Sequence, residues 1–163
     1  MESLKTRLER SCFSVGLVAK TKRAVLEELS DLLVAGGAVS VEHRDDVLAA
    51  LVEREGKMST GMQLGVAIPH AKTDKVERLV TAVALAEGGV EFDSLDGKAS
   101  RIFVATVSPP TDAGGHIRFL ADISRQLASA RVRERVLASR SAEEMVTALC
   151  DDGDDEAEGF GNR

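Results

Sequence analysis

Cysteine, proline and histidine are scarce in this chain, with two, three and three residues among 163. Cys12 and Cys150 lie far apart and form no C-x-x-C pair, so neither a metal site nor a disulfide framework is indicated, and reduced thiols are expected. A basic excess is lacking too. Six of the 27 acidic residues and one of the 21 basic residues fall in the last thirteen positions, DDGDDEAEGFGNR, which leaves 21 acids against 20 bases in residues 1–150. With no surplus of positive charge to neutralise phosphates, a nucleic-acid binder is not expected. No apolar run approaches the ~18 residues of a membrane span. The run CFSVGLVA is short for a signal core and has no clear small-x-small cleavage pattern after it. A cytoplasmic protein without membrane insertion follows as the expectation. The chain also has no G-x-G-x-x-G, no P-loop, no H-E-x-x-H and no G-x-S-x-G, which lowers the standing of nucleotide-binding proteins, zinc proteases and α/β-hydrolases.

What is present suits one compact domain over residues 1–150, since 44% of the chain is hydrophobic. The tail, residues 151–163, is acidic and poor in apolar residues, and is expected to stay disordered as a solubilising extension. Residues 12–18 read as a first strand. Thr21 stands as N-cap of a helix with Val25, Leu29, Leu32 and Leu33 on its apolar face, ended by Gly36 and Gly37. Ser40 stands as cap of a second helix running to about Gly56, with Val47, Leu48, Leu51 and Val52 inward. LGVAI, LVTAVALA and RIFVATV are nearly continuous apolar runs and read as strands buried on both faces, with a short strand possible at VEF. After SPPTDAGG the spacing of His116, Leu120, Ile123 and Leu127 predicts a helix. Two more helices follow, through RERVLAS and after a capping box made by Ser141 and Glu144. Helices on either side of a central group of strands predict a layered α/β domain.

Within STGMQLGVAIPH, Pro69 cuts the strand short and restrains the backbone ahead of His70. A stiffly held, partly exposed imidazole can accept and release a group near neutral pH; the alternative is a surface histidine that merely caps a strand. His116 shares a helical face with leucines and isoleucine, the pattern of a packing residue. It also follows Gly114-Gly115 at a helix start, where free N–H groups favour an anion. If the chain brings His116 beside His70, the two make a phosphate cradle. Arg54, sixteen residues before His70, is either an exposed partner of Glu53 or Glu55 or a guanidinium aimed at a phosphoryl group. His43, among charged neighbours, reads as solvated surface.

Three segments taken in order resemble a known family. STGMQLGVAIPHAKTD, VEFDSLDGKASRIFVATVSPP and HIRFLADISRQLA with the trailing SAEEMVTAL are similar to the IIA proteins and domains of the fructose, mannitol and nitrogen-related branch of the bacterial phosphoenolpyruvate-dependent sugar phosphotransferase system. The resemblance spans about residues 10–150. It implies a three-layer α/β fold with a mixed β-sheet between helices, with His70 as the phosphorylated residue and His116 and Arg54 holding the phosphoryl oxygens. It further implies a relay in which Nε2 of His70 takes the group from phosphohistidine on an HPr-type carrier and loses it to a cysteine on a IIB partner, with no metal or cofactor. The alternative is a stand-alone, nitrogen-type regulator whose phosphorylation on His70 switches binding to a target protein. The chain has neither a membrane segment nor a IIB-like cysteine motif, which leans toward the regulator. Many members carry Gly-Asn where this chain has Gln63-Leu64, so the turn before the strand is expected to differ. Ser59 and Thr60 are candidate hydroxyl donors or turn formers, and Met62 and Leu64 are candidates for an apolar docking rim or for core.

Overall fold

A computed structural model describes residues 2–151; the expected disorder of the tail concerns residues that lie, Asp151 apart, outside this range. Six helices are present among the described residues: α1 (Leu4–Glu9), α2 (Lys22–Ala35), α3 (Arg44–Lys57), α4 (Ala113–Leu127), α5 (Ala130–Ala138) and α6 (Ala142–Leu149). Five strands, β1 (Cys12–Ser14), β2 (Val66–Ala67), β3 (His70–Lys72), β4 (Val80–Val90) and β5 (Ser100–Ser108), form one sheet. The order is β1-β4-β5-β2, with β3 lying beyond β2 along the same flank of β5. β4 runs antiparallel to β5 and every other pairing is parallel, so the sheet is mixed as expected.

The near-continuous apolar runs are explained by cover on both faces. Ala82, Ala84, Phe103, Ala105 and Val107 pack with α2 and α3, whereas Val83, Leu85, Ile102 and Val104 pack with α4, α5 and α6. Period-two alternation is present but invisible in hydropathy, because both sets are apolar. No described helix is long and apolar enough to cross a membrane.

Several expectations are corrected. The first strand is three residues rather than seven, although Leu17 still donates its N–H to Leu85 at 2.8 Å. Helix α1 was not foreseen. Ser40 makes no side-chain cap; its hydroxyl lies 3.1 Å from His43 Nδ1, and α3 begins after a short 3₁₀ turn. His43 is accordingly half-buried rather than fully solvated. VEF forms no strand of its own: Val90 closes β4 and Phe92 is buried outside the ladder. The capping box is half formed, since Glu144 N–H reaches Ser141 Oγ at 3.1 Å while its carboxylate accepts from the Arg140 N–H.

The turn before β2 is built from Gln63 to Val66. Val66 N–H bonds to Gln63 O at 3.3 Å, and the two central residues, Leu64 and Gly65, have φ of 64° and 76°. Two positive φ values define the hairpin turn for which Asn-Gly is the preferred pair. Glycine takes this conformation freely, but a leucine there is strained by roughly 1 kcal/mol. Leu64→Asn is therefore expected to raise stability by about 0.5–1 kcal/mol, seen as a higher urea midpoint at unchanged slope. A lower midpoint would show that the 37%-exposed leucine contributes more by packing than its backbone costs.

Candidate active site

Pro69 interrupts the line of β2 and β3 along β5 without ending it. Its carbonyl accepts from Thr106 N–H at 2.9 Å, and the ladder resumes at once with His70 opposite Thr106. His70 thus opens a strand rather than closing one. Its Nδ1 lies 2.9 Å from the Ile68 carbonyl, which can only accept, so Nδ1 carries the proton and Nε2 keeps its lone pair.

His116 stands on the first turn of α4, 4% exposed, with its ring centroid 5.4 Å from that of His70 and the planes at 63°. The two histidines, 46 residues apart in sequence, are brought together. The helix start itself is not the open anion site expected: the Asp112 carboxylate caps it, accepting from Gly115 N–H at 3.1 Å.

Arg54 lies in the last turn of α3 and donates from Nη1 to the Met58 carbonyl at 2.8 Å. It pairs with neither Glu53 nor Glu55 among the described residues. Glu55 turns the other way and is 7% exposed; it accepts from Thr60 N–H at 2.8 Å and Thr60 Oγ1 at 2.5 Å, and it pairs with Lys22 Nζ at 2.8 Å. Ser59 donates to Phe92 O at 2.7 Å and accepts from Gly61 N–H at 3.1 Å. Both hydroxyls are thus committed to holding the chain before β2. Gly61 is required in that stretch, because a Cβ there would sit 2.5 Å from Phe92 O.

His70, His116 and Arg54 share a cleft of about 490 Å³ with Lys57, Lys72 and Ile117. Lys57 and Lys72 were not singled out in the sequence, though spacing could have found both. Lys72 follows His70 by two residues on one strand, and Lys57 follows Arg54 by three on one helix. Three cations beside two imidazoles, against the single carboxylate of Glu53 on the lining, make a cavity suited to an anion. Its apolar edge comes from Ile117, which is 66% exposed; Met62 instead packs into the core with α4–α6.

Burial lowers the pKa of His70, opposed by its bond to the Ile68 carbonyl and reinforced by Arg54. His116 is pushed down to about 4, by burial first and then by His70 and Lys72, with Asp112 opposing. Both imidazoles are therefore neutral at pH 7, the state in which a ring nitrogen attacks. A depressed folded-state pKa means that the unfolded chain binds more protons, so stability rises with pH. The contribution of His116 is full above about pH 6.5 and is lost as pH falls toward about 4. Unfolding midpoints should drop between pH 7 and pH 5, and the drop should be much smaller in His116→Gln; equal slopes in the two proteins would refute this assignment.

The sequence model described as "Phosphoenolpyruvate-dependent sugar phosphotransferase system, EIIA 2" matches residues 7–151. The chain is 37% identical over 131 residues to the PTS system fructose-specific EIIA component of Haloferax volcanii, covering 80% of this chain and 84% of that protein. The nitrogen regulatory protein IIA-Ntr of Neisseria meningitidis has a similar structure, with a TM-score of 0.80 and 28% identity over 90% of this chain and 98% of that one. The fold alone is shared with enzyme IIA of the mannitol system of Escherichia coli, solved in complex with phosphorylated enzyme IIB (TM-score 0.69, 23% identity, 84% and 92% coverage). The anion-receptive cleft around two neutral histidines is thus carried on a fold and sequence of known kind, and the chain belongs to the EIIA type 2 family of the phosphoenolpyruvate-dependent sugar phosphotransferase system.

Proposed function

We propose that this protein is a phosphoryl carrier in which Nε2 of His70 takes a phosphoryl group from phosphohistidine on an HPr-type protein and passes it to the cysteine of a IIB partner. In the first step the N–P bond of the donor breaks as the bond to His70 Nε2 forms. In the second, a cysteine thiolate attacks phosphorus and His70 leaves as neutral imidazole. The observation that carries the reading is the bond from His70 Nδ1–H to the Ile68 carbonyl, which leaves the far nitrogen unprotonated in a cleft lined by Arg54 and His116. Arg54 and His116 hold the equatorial oxygens as charge spreads over them, the positioning and electrostatic work that phosphoryl transfer requires. A cytoplasmic location follows from the donor.

A second reading, a regulator whose phosphorylation on His70 alters binding to a target protein, is supported by the likeness to IIA-Ntr. The higher identity to a fructose-specific component favours the carrier. Intact mass after incubation with phosphoenolpyruvate, Enzyme I and HPr tests the common step: one acid-labile phosphoryl addition is expected. No addition, while a reference IIA protein is loaded in the same mixture, would overturn the reading. Discharge by an isolated IIB domain then separates carrier from regulator.

A further inference from the structure

Ser108 ends β5 opposite Lys72 and is fully buried, with its hydroxyl 2.6 Å from Nδ1 of His116. Its backbone carbonyl is engaged separately, by Thr73 N–H at 3.0 Å. A neutral imidazole carries one N–H, so two arrangements are open. Either Ser108 donates to Nδ1 and the ring proton sits on Nε2, or Nδ1–H donates to Ser108 Oγ and Nε2 is bare. The separation is that of a hydroxyl donor and is short for a nitrogen donor. The second arrangement would also leave the buried hydroxyl proton without an acceptor among the described residues, a loss the first avoids.

We propose that Ser108 is a positioning residue that fixes His116 as the Nε2–H tautomer and so makes its outer nitrogen a neutral hydrogen-bond donor. The two histidines are then set in opposite tautomers by their inner partners. A carbonyl, which can only accept, puts the proton of His70 on Nδ1; a hydroxyl, which can donate, puts that of His116 on Nε2. One outer nitrogen is a nucleophile and the other a donor. With the reverse tautomer, His116 would turn a lone pair toward the anion and repel it. The value of this donor for transfer rests on the carrier reading above; the tautomer does not.

The full chain, uniformly labelled with ¹⁵N, tests this by long-range ¹H–¹⁵N correlation at pH 7.5. His116 should show a protonated Nε2 and a bare Nδ1, and His70 the reverse. In Ser108→Ala the His116 pattern should become mixed or reversed while that of His70 stays. Loading from phospho-HPr should slow by about ten- to a hundredfold, in kcat rather than KM. Ser108→Thr, which restores a hydroxyl, should recover the pattern. A protonated Nδ1 on His116 in the parent chain would overturn the proposal and needs no variant. So would an unchanged pattern and rate in Ser108→Ala. If the parent takes up no phosphoryl group, the carrier reading fails, and the parent spectrum still decides the tautomer.

Discussion

His70→Ala should take up no acid-labile phosphoryl group under conditions that load the parent chain to one per molecule. The loss is expected to be complete because no other imidazole nitrogen in the cleft is free to attack: His116 is 4% exposed, its Nδ1 is bonded to Ser108, and its outer nitrogen carries the ring proton in the tautomer proposed above. Arg54→Met should leave the nucleophile intact and slow loading by about 10²–10³-fold, the usual effect of removing a charged donor aimed at developing transition-state charge. Arg54→Lys should recover only part of this, since a lysine lacks the planar fork that grips two oxygens at once. Both effects are read by intact mass against time. Slow residual loading of His70→Ala at a second site, or full-speed loading of Arg54→Met, would reassign the respective residue.

Glu55→Ala should lower the unfolding free energy by about 3 kcal/mol, a loss typical of removing one partner from a buried charge pair. The carboxylate fixes the Thr60 amide, the Thr60 hydroxyl and Lys22 Nζ together, joining the end of α3, the start of α2 and the segment leading to β2. Lys22 is left with Asp93 at 3.1 Å, whose side chain is 81% exposed and so compensates weakly. Its neighbouring contact, 5.1 Å above the Phe92 ring, holds the ammonium where it then lacks its main counter-charge. In a domain of this size the change corresponds to a melting-point drop of about 6–12 °C. Glu55→Gln should cost about half as much, because an amide oxygen still accepts from Thr60. A drop below about 1 kcal/mol in Glu55→Ala would show that water replaces the carboxylate without loss.

The resemblance singled out His70, His116 and Arg54; the residues alone left each open, with a proline before His70 and two glycines before His116 as local signals and nothing that decided Arg54. Glu55 carried none. It sits beside Arg54 in a string of charges, and its partner Lys22 is 33 positions away, so its burial comes from tertiary packing that periodicity does not register. Helix α1 escaped for another reason: with six residues and one buried side chain, Leu8, it is too short to show a period. Composition found β1, β2, β4 and β5 but not their limits, and it missed β3, which is set by hydrogen bonding to β5 directly after the missing N–H of Pro69. Ser108 had no sequence signal at all; its meaning depends on the helix that lies against it.

Helices α3 and α4 pack on opposite faces of the sheet, yet Arg54 from one and His116 from the other border the same cleft at the edge held by β3. The cavity is therefore a seam between two otherwise separate halves of the hydrophobic interior. Under the proposed carrier reading, a phosphoryl group on His70 would span that seam and tie one layer to the other, so that loading would also clamp the protein. Amide hydrogens in the end of α3 and the start of α4, which have no direct contact with the attacking nitrogen, should exchange together and more slowly once the group is in place.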